Sequence, residues 1–217
     1  MAEADLAQRL SRGAVELGIE LDADVRARLL AYLDLMIRWN RVYNLPAVRE
    51  PSEMLGHHLL DSLAVLKPLR RYTGGEQVRL LDVGSGGGLP GVVLAIAAPE
   101  IDVLCVDAVA KKVAFIQQVS ARLDLPNLRG LHARVESVRE PFDVITSRAF
   151  ASLAQFAAWS ESALAPGGVW MAMKGRRPED EMAELPAEIE VFHVEPLDVP
   201  GLDAERCLVW MQRRAPD

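Results

Sequence analysis

The sequence predicts a doubly wound α/β domain, a mostly parallel sheet with helices on both faces, preceded by a helical N-terminal extension. Three observations predict it. From Val78 onward, apolar runs of strand length alternate with amphipathic stretches of helix length, as in a sheet whose strands are buried on both faces. A glycine-rich loop joins the first of those strands to a helix. Before Val78, residues 3–66 carry helical periodicity.

In the second helix of the extension Asp22 is placed to cap the N-terminus, and Val25, Leu29, Leu33, Met36 and Ile37 recur along one face. A turn is expected around Asn44, Leu45 and Pro46. Ser52 opens a third helix, with Leu55, Leu59, Leu63 and Leu66 on one face and Pro68 just beyond it. These stripes must cover something, and the following segment offers the surface. Residues 1–72 are therefore expected to form an extension packed on a core of residues 73–217.

In the core, Val78 to Val83 is an apolar run between Gly74-Gly75 and the glycines from Gly84, hence a buried strand. Helix-like sequence follows to Ala98, then a strand from Ile101 to Val106. Ala110 to Leu123 is helical, with Val113, Ile116, Val119 and Leu123 on one face. Strand-like pieces near 142–146 and 168–173 flank a helical stretch from Ser152 to Leu164. The last two pieces, near 189–194 and 206–212, have no helix between them long enough for a parallel crossover. An antiparallel edge is the expectation.

Composition bounds the class. Half of the 217 residues are hydrophobic and a quarter charged, the balance of a globular chain rather than a disordered one. Met1 to Leu10 is polar and acidic, unlike a secretory leader, and the longest apolar stretch, Val92 to Ala98, is too short to span a bilayer. A cytoplasmic protein without membrane attachment, acting as a monomer, is expected. Cys105 and Cys207 fit no metal-ligand or redox spacing and read as reduced, buried strand residues. The 24 Lys and Arg against 31 Asp and Glu give a net charge of −7, which argues against non-specific coating of nucleic acid but leaves room for a local basic face. The charge is uneven. Arg38, Arg41, Arg49, His57 and His58 gather early, whereas Glu179, Asp180, Glu181, Glu184, Glu188, Glu190 and Glu195 crowd a late segment.

The loop Asp82-Val83-Gly84-Ser85-Gly86-Gly87-Gly88-Leu89-Pro90-Gly91 carries the chemistry. Its glycines allow a tight turn and close approach of backbone to a ligand. Pro90 suits a first helical turn, and amides at that helix start are expected to face a polar or anionic ligand. Gly86, Gly88 and Gly91 also satisfy G-x-G-x-x-G, so a dinucleotide site is a rival. Two features oppose it. Asp82 would repel a pyrophosphate but could meet an ammonium group through water, and Gly84 rather than Gly86 follows the strand's last apolar residue. Asp107 ends the second strand ~20 residues past the glycines, where a carboxylate accepts from ribose hydroxyls.

Further motifs carry a resemblance: Trp39-Asn40, Tyr43-Asn44-Leu45, His58-Leu59-Leu60-Asp61-Ser62, the glycine loop, Leu89-Pro90-Gly91, Ser147 to Leu153, Lys174-Gly175 and Glu205-Arg206. Over nearly its whole length the chain resembles the bacterial small-subunit ribosomal RNA (guanine-N7) methyltransferases, also called glucose-inhibited division protein B. The resemblance implies the class I methyltransferase fold, a Rossmann-like sheet of seven strands with the last antiparallel, and S-adenosyl-L-methionine as cofactor. It implies N7 of a guanosine in the decoding-region loop of 16S ribosomal RNA as acceptor, in free RNA or in the small ribosomal subunit. Cofactor contacts are implied at Gly84, Ser85, Gly86, Leu89, Val135, Glu136 and Arg148, with Asp107 on the ribose. Two positions depart from the family pattern: His57 stands where Arg or Lys is usual, and Pro46 where Thr is usual.

The chemistry fits. Methyl transfer is an in-line displacement, so the protein mainly positions the acceptor. Thr146-Ser147-Arg148-Ala149-Phe150, at the end of the fourth strand, offers neither the carboxamide or carboxylate of exocyclic-amine methylation nor the cysteine of carbon methylation. A ring nitrogen with a free lone pair needs neither. Arg148 is the expected positioning residue; Asn44, His58, Arg134, Phe150 and Lys174 are the candidate RNA contacts, with Phe150 a stacking surface for a flipped base. No metal is implied. A methyltransferase acting on a small molecule or protein is the alternative, and a nicotinamide enzyme or a non-catalytic RNA-binding module are the remaining readings.

Overall fold

The computed structural model describes residues 3–43 and 50–215. Seven strands form one sheet in the order β3-β2-β1-β4-β5-β7-β6. They are β1 (Val78–Val83), β2 (Ile101–Asp107), β3 (Leu128–His132), β4 (Phe142–Arg148), β5 (Leu164–Lys174), β6 (Ile189–Pro196) and β7 (Cys207–Arg213). β1 pairs in parallel with β2 and β4, β2 with β3, and β4 with β5. β7 is antiparallel to both β5 and β6, so it alone runs against the rest. The strand order reverses between β1 and β4, which makes the carboxyl ends of those strands the place for a ligand.

Alternation along the strands builds two cores. Leu80, Val103, Cys105, Val144, Met171 and Trp210 face one side, and Leu81, Leu104, Val106, Ile145, Trp170 and Val209 the other. The first side is covered by the N-terminal helices α1 (Glu3–Glu16) and α2 (Ala23–Tyr43), by the helical segment 51–73, and by α6 (Gly91–Ala97) and α7 (Ala110–Arg122). The second is covered chiefly by α8 (Leu153–Ser160), whose Leu153, Phe156 and Ala157 are buried. Leu10, Leu29, Leu33, Met36, Leu55, Leu59 and Leu63 share one core cluster with Leu80, Val92 and Val103. The extension therefore has no separate hydrophobic core.

Local chemistry explains most boundaries. Asp22 Oδ1 accepts from the Val25 amide at 2.8 Å, capping α2 as expected. Ser152 caps α8 through the Gln155 amide. α8 then tightens into a 3₁₀ turn, Glu161–Ala163, and Leu164 already belongs to β5. Pro68 does not end a helix. It lies in the first turn of α5 (Leu66–Thr73), where its missing amide costs nothing, and Gly74 with φ 68° closes that helix.

The segment expected as one α-helix from Ser52 is interrupted. α3 (Pro51–Met54) passes into a π-helical turn, Leu55–Leu60, before α4 (Asp61–Leu63). Such bulges recur at functional sites, and this one carries His57 and His58. β3 was not anticipated; of its residues only Leu128 is buried, at the edge of the sheet. The turn expected at Asn44, Leu45 and Pro46 lies outside the described residues.

The extension also grips the glycine loop. The Tyr32 hydroxyl, on α2, donates to the Gly87 carbonyl at 2.7 Å, with its ring fully buried. Tyr32→Phe keeps the packing and removes this bond, so its urea midpoint should drop by the equivalent of about 1 kcal/mol. Far-UV circular dichroism should be unchanged.

Candidate active site

At the end of β1 the chain turns through Gly84, whose φ of 64° lies in the left-handed region that favours glycine. A Cβ there would lie 2.3 Å from Phe150 Cδ2. Beneath the loop, Asp82 has no exposed surface, and its Oδ2 accepts from the Gly91 amide at 2.9 Å. Burial pushes the Asp82 carboxyl up to about 7, partly offset by that amide and by the Arg148 charge. Gly91 is needed for close approach: a Cβ would meet Cys105 Sγ at 2.6 Å and Asp82 Oδ2 at 2.8 Å. The Gly88 and Leu89 amides turn back to the Ser85 carbonyl, and the Val92 amide to that of Gly88.

These bonds correct two expectations. The amides at the start of α6 serve the loop itself rather than a ligand, and Asp82 is sealed below the loop rather than presented to an ammonium through water. Space for a ligand lies on the open side, where a Cβ added at Gly87 would meet nothing within 4 Å.

Two clefts open there. One, of about 500 Å³, is lined by the loop from Gly84 to Gly87, Leu89, Met36, His57, His58, Asp61, Arg148, Met173, Lys174 and Arg206. The other, of about 370 Å³, is lined by Val106, Asp107, Lys112, Arg134, Val135, Glu136, Phe150 and Trp159. They meet at Gly84 and Ala149. Ala149 has φ 51°, a left-handed residue between Arg148 in the first cleft and Phe150 in the second.

In the first cleft Asp61, 2% exposed, accepts from Arg148 Nη1 and from Arg206 Nε, each at 2.9 Å. Arg148 Nη1 also donates to the His57 carbonyl at 2.7 Å. One guanidinium is thus anchored both by a carbonyl of the π-helical turn and by a carboxylate at the start of α4. His58 is buried beside it, and burial, reinforced by the Arg148 charge, lowers its pKa from 6.5 to about 4. Lys174 donates to Glu181 Oε2 at 2.7 Å and to the Ala151 carbonyl at 2.9 Å.

In the second cleft Asp107 Oδ1 accepts from the Val109 amide and Oδ2 from the Gly86 amide, at 2.8 and 3.0 Å. Lys112 Nζ lies 3.5 Å from the same Oδ2. Asp107 is thus fixed against the glycine loop at the cleft wall. Val135 is buried, while Arg134 and Glu136 form an exposed ion pair. The Glu136 carboxyl lies below its ordinary range, chiefly through its own backbone amide.

A family described as rRNA small subunit methyltransferase G (GidB) matches residues 26–209. The chain belongs to this family. A ribosomal RNA small subunit methyltransferase G from Methylibium petroleiphilum is 64% identical, over 96% of this chain and 95% of the relative. One from Acidovorax ebreus is 58% identical over 98% and 97%. Among solved structures, TrmN from Thermus thermophilus superposes with a TM-score of 0.57 at 17% identity, covering 74% of this chain and 53% of that one. The ribosomal protein L11 methylase from Lactobacillus delbrueckii gives 0.53 at 15%, covering 72% and 77%. These two likenesses show the fold. As a member of the GidB family the chain is a methyltransferase, and family and Rossmann-like fold together imply S-adenosylmethionine as methyl donor.

The geometry sorts the sequence candidates between the clefts. Gly84, Ser85, Gly86, Leu89 and Arg148 line the first together with His58 and Lys174. Asp107, Val135, Glu136 and Arg134 line the second. Phe150 packs over Gly84 and edge-on to Phe156 and Trp159, in the second cleft rather than the first. Asn44, Arg49 and the side chain of Arg41 lie outside the described residues, and Arg38 pairs with Asp34 on its own helix. Sequence reasoning gave no role to Asp61 and Arg206, although both fall within motifs of the resemblance. Their pairing across 145 residues has no local signature.

His58 makes stability pH-dependent. The unfolded chain takes up the proton near pH 6.5, whereas the folded protein resists it down to about 4. The contribution of neutral His58 is complete above 6.5 and lost as pH falls toward 4, roughly 3 kcal/mol over the window. Urea unfolding of the parent and His58→Gln should show the stability difference, parent minus variant, shrinking across that range. A difference constant from pH 7 to 4 would contradict the assignment.

Proposed function

We propose that this protein transfers a methyl group from S-adenosyl-L-methionine to N7 of a guanosine in the decoding-region loop of 16S ribosomal RNA. The observation that carries the proposal is the pair of clefts meeting at Gly84 and Ala149 in a chain of the GidB family. The residues present fit the cofactor. The second cleft suits its nucleoside, with Asp107 for the ribose hydroxyls and Val135, Phe150 and Trp159 for the base. The first suits its amino-acid end, with the Gly84–Gly86 backbone and Arg148 as polar partners. When bound, S-adenosylmethionine supplies a methyl group on a sulfonium centre.

The remaining chemistry falls to this chain. The acceptor enters the first cleft and must be held beside Gly84, where the clefts join. The buried polar groups beside the join are poorly suited to act as a base. Asp61 is held by two arginines, Thr146 Oγ1 donates to the Met171 carbonyl, and the lowered pKa of His58 leaves it a weak base. Guanine N7 carries a lone pair and no proton, so it asks only for positioning. Because N7 is unreachable in the deep groove of A-form RNA, the target must be splayed or in a loop. The curated relatives are named for the small-subunit ribosomal RNA; a cytoplasmic site of action is part of this proposal.

Two experiments test the reading. Asp107→Ala should weaken S-adenosylmethionine binding by roughly 1.5–3 kcal/mol, and Gly84→Ala should weaken it through the Phe150 clash; calorimetric titration on folded variants measures both. Incubation with labelled cofactor and small-subunit RNA or particles should yield 7-methylguanosine at one site. Label on an exocyclic amine, a ribose hydroxyl or protein would refute the acceptor.

A further inference from the structure

The acceptor-side cleft does not end at Arg206. Gly175 and Arg206 also line a neighbouring cleft of about 550 Å³, bounded by the segment after β5 and the segment joining β6 to β7. Its lining is of two kinds. Leu197 and Val199 are buried, and Leu202 packs against the same core. At the rim stands Arg176, exposed. Neighbouring cations are committed, Lys174 to Glu181 and Arg177 to Glu179, whereas Arg176 makes no ion pair among the described residues.

We propose that this cleft receives the nucleotide next to the acceptor in the substrate RNA, a proposal that rests on the RNA reading above. Its base lies on Leu197, Val199 and Leu202, and the linking phosphate passes Arg206 toward Arg176. A bare anion would make no use of the apolar floor, and an apolar ligand none of the arginines; a nucleotide uses both. Asp198 and Glu205 also line the cleft. Their carboxylates can accept from base amino or imino groups, and they repel a phosphate, which confines it to the arginine side. Arg206 stands on the wall common to both clefts, where a phosphodiester joining one base in each must cross. Asp61 fixes that guanidinium before RNA arrives. Two splayed bases in adjoining clefts also explain how a loop nucleotide is held out of its stack.

The test uses the full chain and small-subunit particles. Arg176→Glu reverses the exposed cation, and Ala204→Trp fills the cleft from an exposed position that tolerates bulk. Each should raise KM for the particle about tenfold, the scale of one lost base or phosphate contact. kcat and the calorimetric Kd for S-adenosylmethionine should stay within about twofold. A photo-crosslinking amino acid at position 204 should attach to the nucleotide adjoining the methylated one. Parent-like KM in both variants, or a crosslink confined to distant RNA or to protein, overturns the proposal while leaving the methyltransferase reading intact. Particles that the parent protein never methylates overturn that reading, and this cleft assignment with it.

Discussion

Asp61 lies almost wholly out of water, and a carboxylate in that position is tolerated only when cations and hydrogen bonds replace its hydration. Arg148 comes from the end of β4 and Arg206 from just before β7, 87 and 145 residues away in the chain. Removing one partner of such a group typically costs about 3–5 kcal/mol, more than any single surface pair elsewhere in the molecule. The pairing holds the 51–63 segment across the carboxyl edge of the sheet and makes it a wall of the first cleft. Tyr32, reaching the Gly87 carbonyl from α2, does the same for the glycine loop. The N-terminal helices are therefore part of the site's construction, and a sheet without them would present two solvated arginines and an unsupported loop.

The two strand-end carboxylates divide the work of the loop between them. Asp82 holds it from below through the Gly91 amide; Asp107 holds it from the side through that of Gly86. Because the start of α6 is consumed by these internal bonds, ligand specificity passes to whatever surrounds the loop's open face. Ala149 decides that surrounding. Its left-handed backbone, a cost of order 1 kcal/mol for a residue with a side chain, sends Arg148 and Phe150 into different clefts. That strain separates the two clefts within three residues.

The sheet was legible because its central strands are buried on both faces and read as continuous apolar runs. β3 escaped for the opposite reason: Arg129, Gly130 and His132 sit on an edge strand, where burial asks little of the side chains. The π-helical turn escaped because Leu55, Leu59 and Leu63 keep their helical spacing through it while the backbone widens. At the site, the glycine loop and Asp107 were legible from spacing, since both lie at strand ends that the apolar runs define. Which cleft Phe150 enters was not legible, because an aromatic after a strand end reads the same whichever side it faces. Only the φ of Ala149 separates the two.

The net charge of −7 stands against an RNA substrate at long range, and ion pairing does not relieve it. Arg70 with Glu100, Arg71 with Glu195, Arg79 and Arg129 with Glu140, and Arg213 with Glu161 neutralise one another on surfaces away from the clefts. Long-range steering by such a protein opposes the approach of a polyanion. Affinity must then be built at short range, where Arg148, Arg206 and Arg176 line or rim adjoining clefts. A chain that gains little from general phosphate attraction binds poorly to RNA of the wrong shape. An acidic total of this kind favours a partner whose shape brings phosphates onto those arginines over polyanions at large.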